Sequence, residues 1–229
     1  MKIESYGASS SGNAHLISDG ETTLLLDAGL PFKKLQIAIG FRITAIDGVL
    51  LSHAHGDHSK SIKALISCGI DVYGSEDTFR ALEIQSYRAH VVEPLMQFKV
   101  GSMIITPIEA EHDCPGTYGF IVRSNITNER LLYLTDSYYC KYDPKGLTHM
   151  IVECNYLDDL LDASDIDRVQ KSRIRKSHMS LQTLEKMIAN MDRSKLQKIY
   201  LTHLSDRHSD AAMFKDRIQR LTGVEVYIL

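Results

Sequence analysis

Three histidines and an aspartate fall within six residues of "VLLSHAHGDHSKSI", at His53, His55, Asp57 and His58, directly after an apolar run. His53 and His55 are two apart, so at the end of an extended strand their imidazoles point to the same side. Gly56 permits a sharp turn, which delivers Asp57 and His58 at the start of a helix predicted from Ser59. Imidazole and carboxylate together suit zinc or a similar borderline divalent ion, with manganese favoured as the carboxylate share rises. The bland alternative is a solvated polar loop, which so dense a pattern disfavours.

Four donors cannot fill two metal sites. Three strand ends offer more: His112 in "IEAEHDCPG", Asp136 in "LLYLTDS" and His203 in "KIYLTHLS". Taken singly, each histidine reads as structural. Their common setting, a donor at the end of an apolar strand, points to one shared centre.

Further segments bear on what such a centre would act upon. "GASSSGNA" reads first as a hairpin turn, which its Gly and Asn suit. Its functional reading is that Ser9, Ser10 or Asn13 contacts a phosphate through turn amides and hydroxyls. Tyr138 and Tyr139 follow Asp136 and either stack on a base or pack half-buried beside the site. "LDDLLDASDIDRVQKSRIRKS" opens with five aspartates and turns basic with Arg168, Lys171, Arg173, Arg175 and Lys176. It is either a solvated helix or loop with compensating charges, or a mobile basic arm that holds a phosphate-bearing substrate. Arg175, Lys176 and Asn155 are candidate substrate contacts on the second reading. His15, His90, His149 and His208 read as surface or packing residues, and Cys114 as a small packing residue.

The elements that must position these groups follow from hydrophobic periodicity. Strands are predicted at Lys2 to Ala8, Ala14 to Ser18, Thr23 to Asp27, Gly48 to Ser52, Asp71 to Gly74, Met103 to Glu109 and Tyr118 to Arg123. Four more follow at Leu131 to Thr135, Met150 to Cys154, Lys198 to Thr202 and Glu225 to Leu229. Helical spacing appears at Phe32 to Ile39, Ser59 to Ser67, Asp77 to Gln85 and Ser180 to Met191. A last helix carries Met213, Phe214, Ile218 and Leu221 on one stripe, with Gly223 as its stop. Antiparallel-looking strands come early and strands alternating with helices follow, twice over, which suggests an α/β sandwich of layers.

With 229 residues, no repeat and no linker, one domain spanning 1–229 is expected. The net charge of -3 gives no global attraction to nucleic acid, so any such contact would have to be local. The four cysteines are widely spaced and form neither a disulfide framework nor a thiolate metal site. No 18-residue apolar run occurs, and the N-terminus enters a strand-like segment without a signal-like apolar core. A cytoplasmic protein with no membrane attachment is therefore expected.

The "HAHGDH" run at His53 to His58, the preceding "LLLDAG", the later His112, the strand ending in Asp136 and the late His203 resemble the metallo-β-lactamase superfamily. The resemblance covers nearly the whole chain and implies a four-layer αββα sandwich. Within the superfamily, "ASSSGNAHLI", "LLLDAGLPFKKL", "IVECNYLDDLL" and "SHMSLQTLEKMI" are similar to the WalJ, or YycJ, group of metal-dependent nucleases, related to ribonuclease Z. The resemblance implies two divalent ions, zinc first and manganese second. It assigns His53, His55 and His112 to one ion and Asp57, His58 and His203 to the other, with Asp136 as the bridge. Asp57, Asp136 and His178 become the catalytic residues, His178 as proton donor, and Asp27 a support for the metal-binding loop that is not itself a ligand. Tyr156 stands where the group has a histidine, so a substrate role at that position does not follow from the resemblance. The implied activity is hydrolysis of DNA or RNA phosphodiesters, with a homodimer as the expected assembly. Hydrolysis of 3',5'-cyclic mononucleotides is the main alternative. Thioester hydrolysis and a non-catalytic metal-binding regulator are the others.

Overall fold

The computed structural model describes all residues, 1–229. It divides into two compact units: residues 1–109 with 114–129, and residues 110–113 with 130–229. The architecture is α/β, as the order of elements predicts, and no helix is long and apolar enough to cross a membrane.

In the first unit, β1 (Lys2–Ser9), β2 (Gly12–Ser18) and β3 (Thr23–Leu26) form an antiparallel meander. Helix α1 (Phe32–Ala38) leads from it to β4 (Gly48–Leu50), which pairs parallel with β3. Two short helices follow, α2 (Gly56–Ser59) and α3 (Ile62–Ser67). The sheet is completed by β5 (Val72–Gly74), helix α4 (Glu76–Ala81) and β6 (Ala89–Val91), with β5 and β6 also parallel. Strands β7 (Phe98–Val100), β8 (Met103–Glu109) and β9 (Tyr118–Ser124) form an antiparallel set. Leu25, Val49 and Val72 of the parallel strands, with Leu51 just after β4, bury completely against Leu35, Ile62 and Leu65 of the helices. That burial gives the strand ends a rigid base.

The second unit alternates strand and helix. Its strands β10 (Arg130–Leu134), β11 (His149–Glu153), β12 (Lys198–Thr202) and β13 (Glu225–Ile228) pair in parallel in sequence order. Between β11 and β12 run α5 (Asp158–Ala163), α6 (Arg168–Ser177) and α7 (Leu181–Asn190). Helix α8 (Ala211–Thr222) leads into β13. Side chains cap these helices at their starts: Asp167, Ser180 and Asp210 each accept a backbone N–H three residues on. Gly223 ends α8 in the left-handed region, at φ 73°, as its place after the stripe predicts.

Two departures from the predicted elements have local causes. The helix expected over Ser59 to Ser67 is broken, because Ser61 turns away: its N–H donates to Ala28 O at 2.9 Å and its hydroxyl to Leu30 O at 2.5 Å. The break ties the histidine-bearing α2 to the loop after β3. Strands β6 and β7, each three residues long, escaped the pattern because "AHV" and "FKV" are too short to show a period.

Candidate metal centre

In the first unit, the donors stand on the loop after β4 and on α2. Asp27, fully buried just after β3, accepts from Ser52 N at 2.7 Å and Ser52 Oγ at 2.8 Å, and holds His58 Nδ1 at 2.7 Å. With Nδ1 of His58 so engaged, Nε2 is the ring atom that could meet an ion, and it lies 3.5 Å from Asp57 Oδ2. Ser52 Oγ lies 3.0 Å from His53 Nδ1, which leaves Nε2 of His53 for the same task. That nitrogen is 3.1 Å from His55 Nδ1. Two nitrogens bound to one tetrahedral zinc at ~2.0–2.1 Å would sit about 3.3 Å apart, so this spacing fits a shared ion. Asp27 thus fixes both Ser52 and the His58 ring.

Gly29 closes the back of this loop. A Cβ there would lie 1.6 Å from the carbonyl oxygen of Asp57, and Gly29 N donates to Asn13 O at 2.8 Å. Only glycine allows the β3 loop and α2 to approach this closely. Asn13 is itself fully buried; its amide lies 3.1 Å from both Ser9 O and His58 Nε2. Ser9 and the exposed Ser10 belong to the β1–β2 turn, where Ser9 Oγ and Ser11 Oγ are 2.8 Å apart.

In the second unit, Asp136 follows β10 and is 3% exposed. Its Oδ2 lies 3.8 Å from His112 Nε2 and its Oδ1 3.5 Å from His203 Nδ1, so its two oxygens turn toward two different histidines. His112 donates from Nδ1 to Ser177 O at 2.9 Å, which turns Nε2 toward Asp113 Oδ1, at 3.2 Å, and Asp136. Burial holds the His112 pKa below its ordinary value, against the pull of Asp136, and so favours the neutral ring a ligand requires.

Glu153, at the end of β11, is the residue sequence reasoning missed. It is fully buried; Oε1 meets His178 Nδ1 at 2.6 Å and His203 Nδ1 at 3.1 Å, while Oε2 accepts from Ser137 N and Met179 N. The ligand-type atoms of Asp136, Glu153, His178 and His203 all lie within 4.8 Å of one another. Burial alone would lower the His178 pKa, but the Glu153 carboxylate outweighs it and holds the ring above its ordinary value. The same pairing pulls Glu153 below its ordinary value although burial pushes it up. A signal was present: "MIVE" ends a buried strand in an acid, as "LLYLTD" does at Asp136.

Asp27, Asp136 and His203 share a backbone feature, φ of 57°, 47° and 57°. Left-handed non-glycine residues cost of order 1–3 kcal/mol each and persist where surrounding structure holds them. All three follow β-strands closely, where the chain must turn abruptly to present a side chain.

The remaining candidates fall as follows. Asn155 donates to His203 O at 2.7 Å and so fixes that histidine's backbone. Tyr138 and Tyr139 are 40% and 49% exposed. Tyr156 is buried and bridges to Ser180; burial pushes its hydroxyl up to about 12, so it stays protonated. The basic run forms α6, and much of its charge is paired: Arg173 Nε with Asp113 Oδ2 at 2.9 Å, Arg175 with Asp162, and Lys171 Nζ with the carbonyls of Asp162 and Ser164. For Lys171, Arg173 and Arg175 the charges are compensated, as the first reading of this run has it. Lys176 is exposed and makes no ion pair.

This set of strand-end imidazoles and carboxylates defines a class, and the chain belongs to the beta-lactamase superfamily domain family, whose model matches residues 22–204. It is 27% identical to the exodeoxyribonuclease WalJ of Streptococcus pneumoniae serotype 2 (strain D39 / NCTC 7466), over 91% of this chain and 83% of that protein. It is also 27% identical to the exodeoxyribonuclease YycJ of Bacillus anthracis, over 86% of this chain and 79% of that one. Among solved structures it is similar to the metallo-beta-lactamase fold protein YhfI of Bacillus subtilis, with a TM-score of 0.76 and 19% identity over 99% of this chain and 95% of that one. The metallo-β-lactamase fold expected from the sequence is the fold of this protein.

Proposed function

We propose that this chain is a phosphodiesterase that cleaves DNA with the help of two divalent ions. His53, His55 and His112 would hold one ion, Asp57, His58 and His203 the other, and Asp136 would bridge them. Zinc is the first expectation and manganese the second, because the donors are imidazoles with a minority of carboxylates. The donor set supports this: Ser52, Asp27, Ser177 and Glu153 engage Nδ1 of His53, His58, His112 and His203 in turn, and a histidine oriented through Nδ1 presents Nε2 as its ligand atom.

The observation that carries the phosphodiester reading is the Glu153–His178 pair beside Asp136 and His203. When bound, two divalent ions supply Lewis acidity, which activates a water and neutralises charge on the phosphate. Cleavage also needs a proton for the departing oxygen. His178 can supply it from Nε2, since Nδ1 is held by Glu153, whose carboxylate favours the protonated ring. After the transfer, Glu153 keeps the remaining proton on Nδ1, so the ring returns to one tautomer. Asp57 and Asp136 add the negative charge that holds cations in place against the phosphate.

DNA is the favoured substrate because the WalJ and YycJ relatives, similar over most of the chain, are exodeoxyribonucleases by name. A second reading, hydrolysis of 3',5'-cyclic mononucleotides, draws on the net charge of -3 and on the pairing of Arg173 and Arg175 with acids. One substrate panel with Zn²⁺ or Mn²⁺ separates them: single-stranded DNA, RNA, duplex ends, cyclic mononucleotides and a thioester. Cleavage of DNA from an end supports the proposal; hydrolysis of cyclic mononucleotides with no action on polymers sinks it.

A further inference from the structure

Helix α6 bears a groove of about 470 Å³, lined by Arg168, Val169, Ser172, Arg173 and Lys176 with Asp113 opposite. Arg168, Ser172 and Lys176 recur every four residues and so share one face of the helix. The charges on this face differ in kind. Arg173 is taken by Asp113, and the neighbouring Arg175, by Asp162. Arg168 and Lys176 are exposed and form no ion pair, and Val169 beside them is 78% exposed. The groove therefore offers two uncompensated cations about 12 Å apart along the helix, from eight residues at ~1.5 Å each, with an apolar side chain between.

The groove also has a direction. Its lining ends at Ser177, whose carbonyl accepts from His112 Nδ1, and the next residue is His178. A strand with one phosphate at His178 would carry its neighbouring phosphates along α6. Two cations separated by this distance meet more than one phosphate, which a mononucleotide cannot supply. We propose that the Arg168–Lys176 face of α6 is the track for a single-stranded DNA substrate, a proposal that rests on the nuclease reading and extends it by naming the polymer-binding surface. Arg175, turned to Asp162, lies outside that track.

The test is binding of a fluorescent, cleavage-resistant phosphorothioate (dT)20 to the metal-loaded protein, by anisotropy across a series of NaCl concentrations. Each cation that meets a strand phosphate contributes about 0.7 to the slope of log affinity against log salt. Arg168→Ala/Lys176→Ala is expected to bind about tenfold more weakly at 0.1 M salt and to lose about 1.4 from the slope. Lys195→Ala/Lys215→Ala, which removes equal charge before β12 and on α8, should keep the wild-type slope. Both pairs are exposed, and thermal melts confirm that the variants fold. An unchanged slope in the α6 variant, or an equal loss in the control, overturns the track. If the wild type nonetheless cleaves DNA, only the track falls; if it cleaves cyclic mononucleotides and no polymer, the nuclease reading falls and takes the track with it.

Discussion

Glu153 Oε1 lies 2.6 Å from His178 Nδ1, inside a pocket where the carboxylate has no exposure to water. The same oxygen reaches His203 Nδ1, so one buried acid sets the ring orientation of both His178, the proposed proton donor, and His203, the proposed metal ligand. Glu153→Gln keeps the shape but replaces one oxygen with an N–H₂ that cannot accept from Nδ1. Loss of an orienting partner of this kind typically costs about 10- to 100-fold in activity or metal affinity. The expected result is a fall in kcat of that size on single-stranded DNA with KM within a few-fold of wild type. Unchanged kcat would remove Glu153 from the site's working parts.

His178 and Asp136 should separate under metal counting. His178→Ala removes the proton donor and is expected to cost about 10²- to 10⁴-fold in turnover, with the full complement of metal retained. Asp136→Ala removes the carboxylate that faces both His112 and His203, and metal should be lost together with activity. Elemental analysis of both purified variants reads this directly. A metal-free His178→Ala protein would contradict the assignment of His178 as donor.

The candidate ligands His112, Asp136 and His203 were legible because each closely follows an apolar strand, where a polar donor has few other reasons to exist. His53, His55, Asp57 and His58 needed only the strand period and Gly56. Glu153 carried the same strand-end signal, but its role rests on partners, His178 and His203, that stand 25 and 50 residues away in sequence. The charge run from Asp158 to Lys176 likewise showed its composition but not its pairings, since Arg173 meets Asp113, 60 residues back. Left-handed φ at Asp27, Asp136 and His203 leaves no mark on residue type, as glycine would.

Gly29 tests whether the loop after β3 sets the position of Asp57. In Gly29→Ala the new methyl would collide with the Asp57 carbonyl, with backbone atoms on both sides and no flexible side chain to yield. Overpacking of this kind costs about 1–3 kcal/mol. Urea unfolding should show that loss, and metal affinity should fall with it because Asp57 must shift. A variant with wild-type stability would mean that the loop adjusts freely.

Asp19 gives the fold a pH dependence independent of the metal ligands. In the β2–β3 turn its Oδ2 accepts from Ser102 and Ser124 hydroxyls, both at 2.6 Å, and its Oδ1 from Thr22 N and Glu21 N. It thereby ties that turn to the β7–β8 turn and to the end of β9. Burial would raise its pKa, but the four hydrogen bonds outweigh burial and lower it from the usual 3.8 to about 2. A carboxylate depressed on folding stabilises fully above its unfolded pKa and loses that contribution as pH falls through the folded value, here from about 4 to about 2. The depression corresponds to about 2 kcal/mol at neutral pH. Asp19→Asn should be less stable than wild type by about that amount at pH 7, and by about half as much at pH 3. Urea unfolding of both proteins at the two pH values measures the difference. A gap that does not narrow toward pH 3 would show that the charge of Asp19 contributes nothing to the fold.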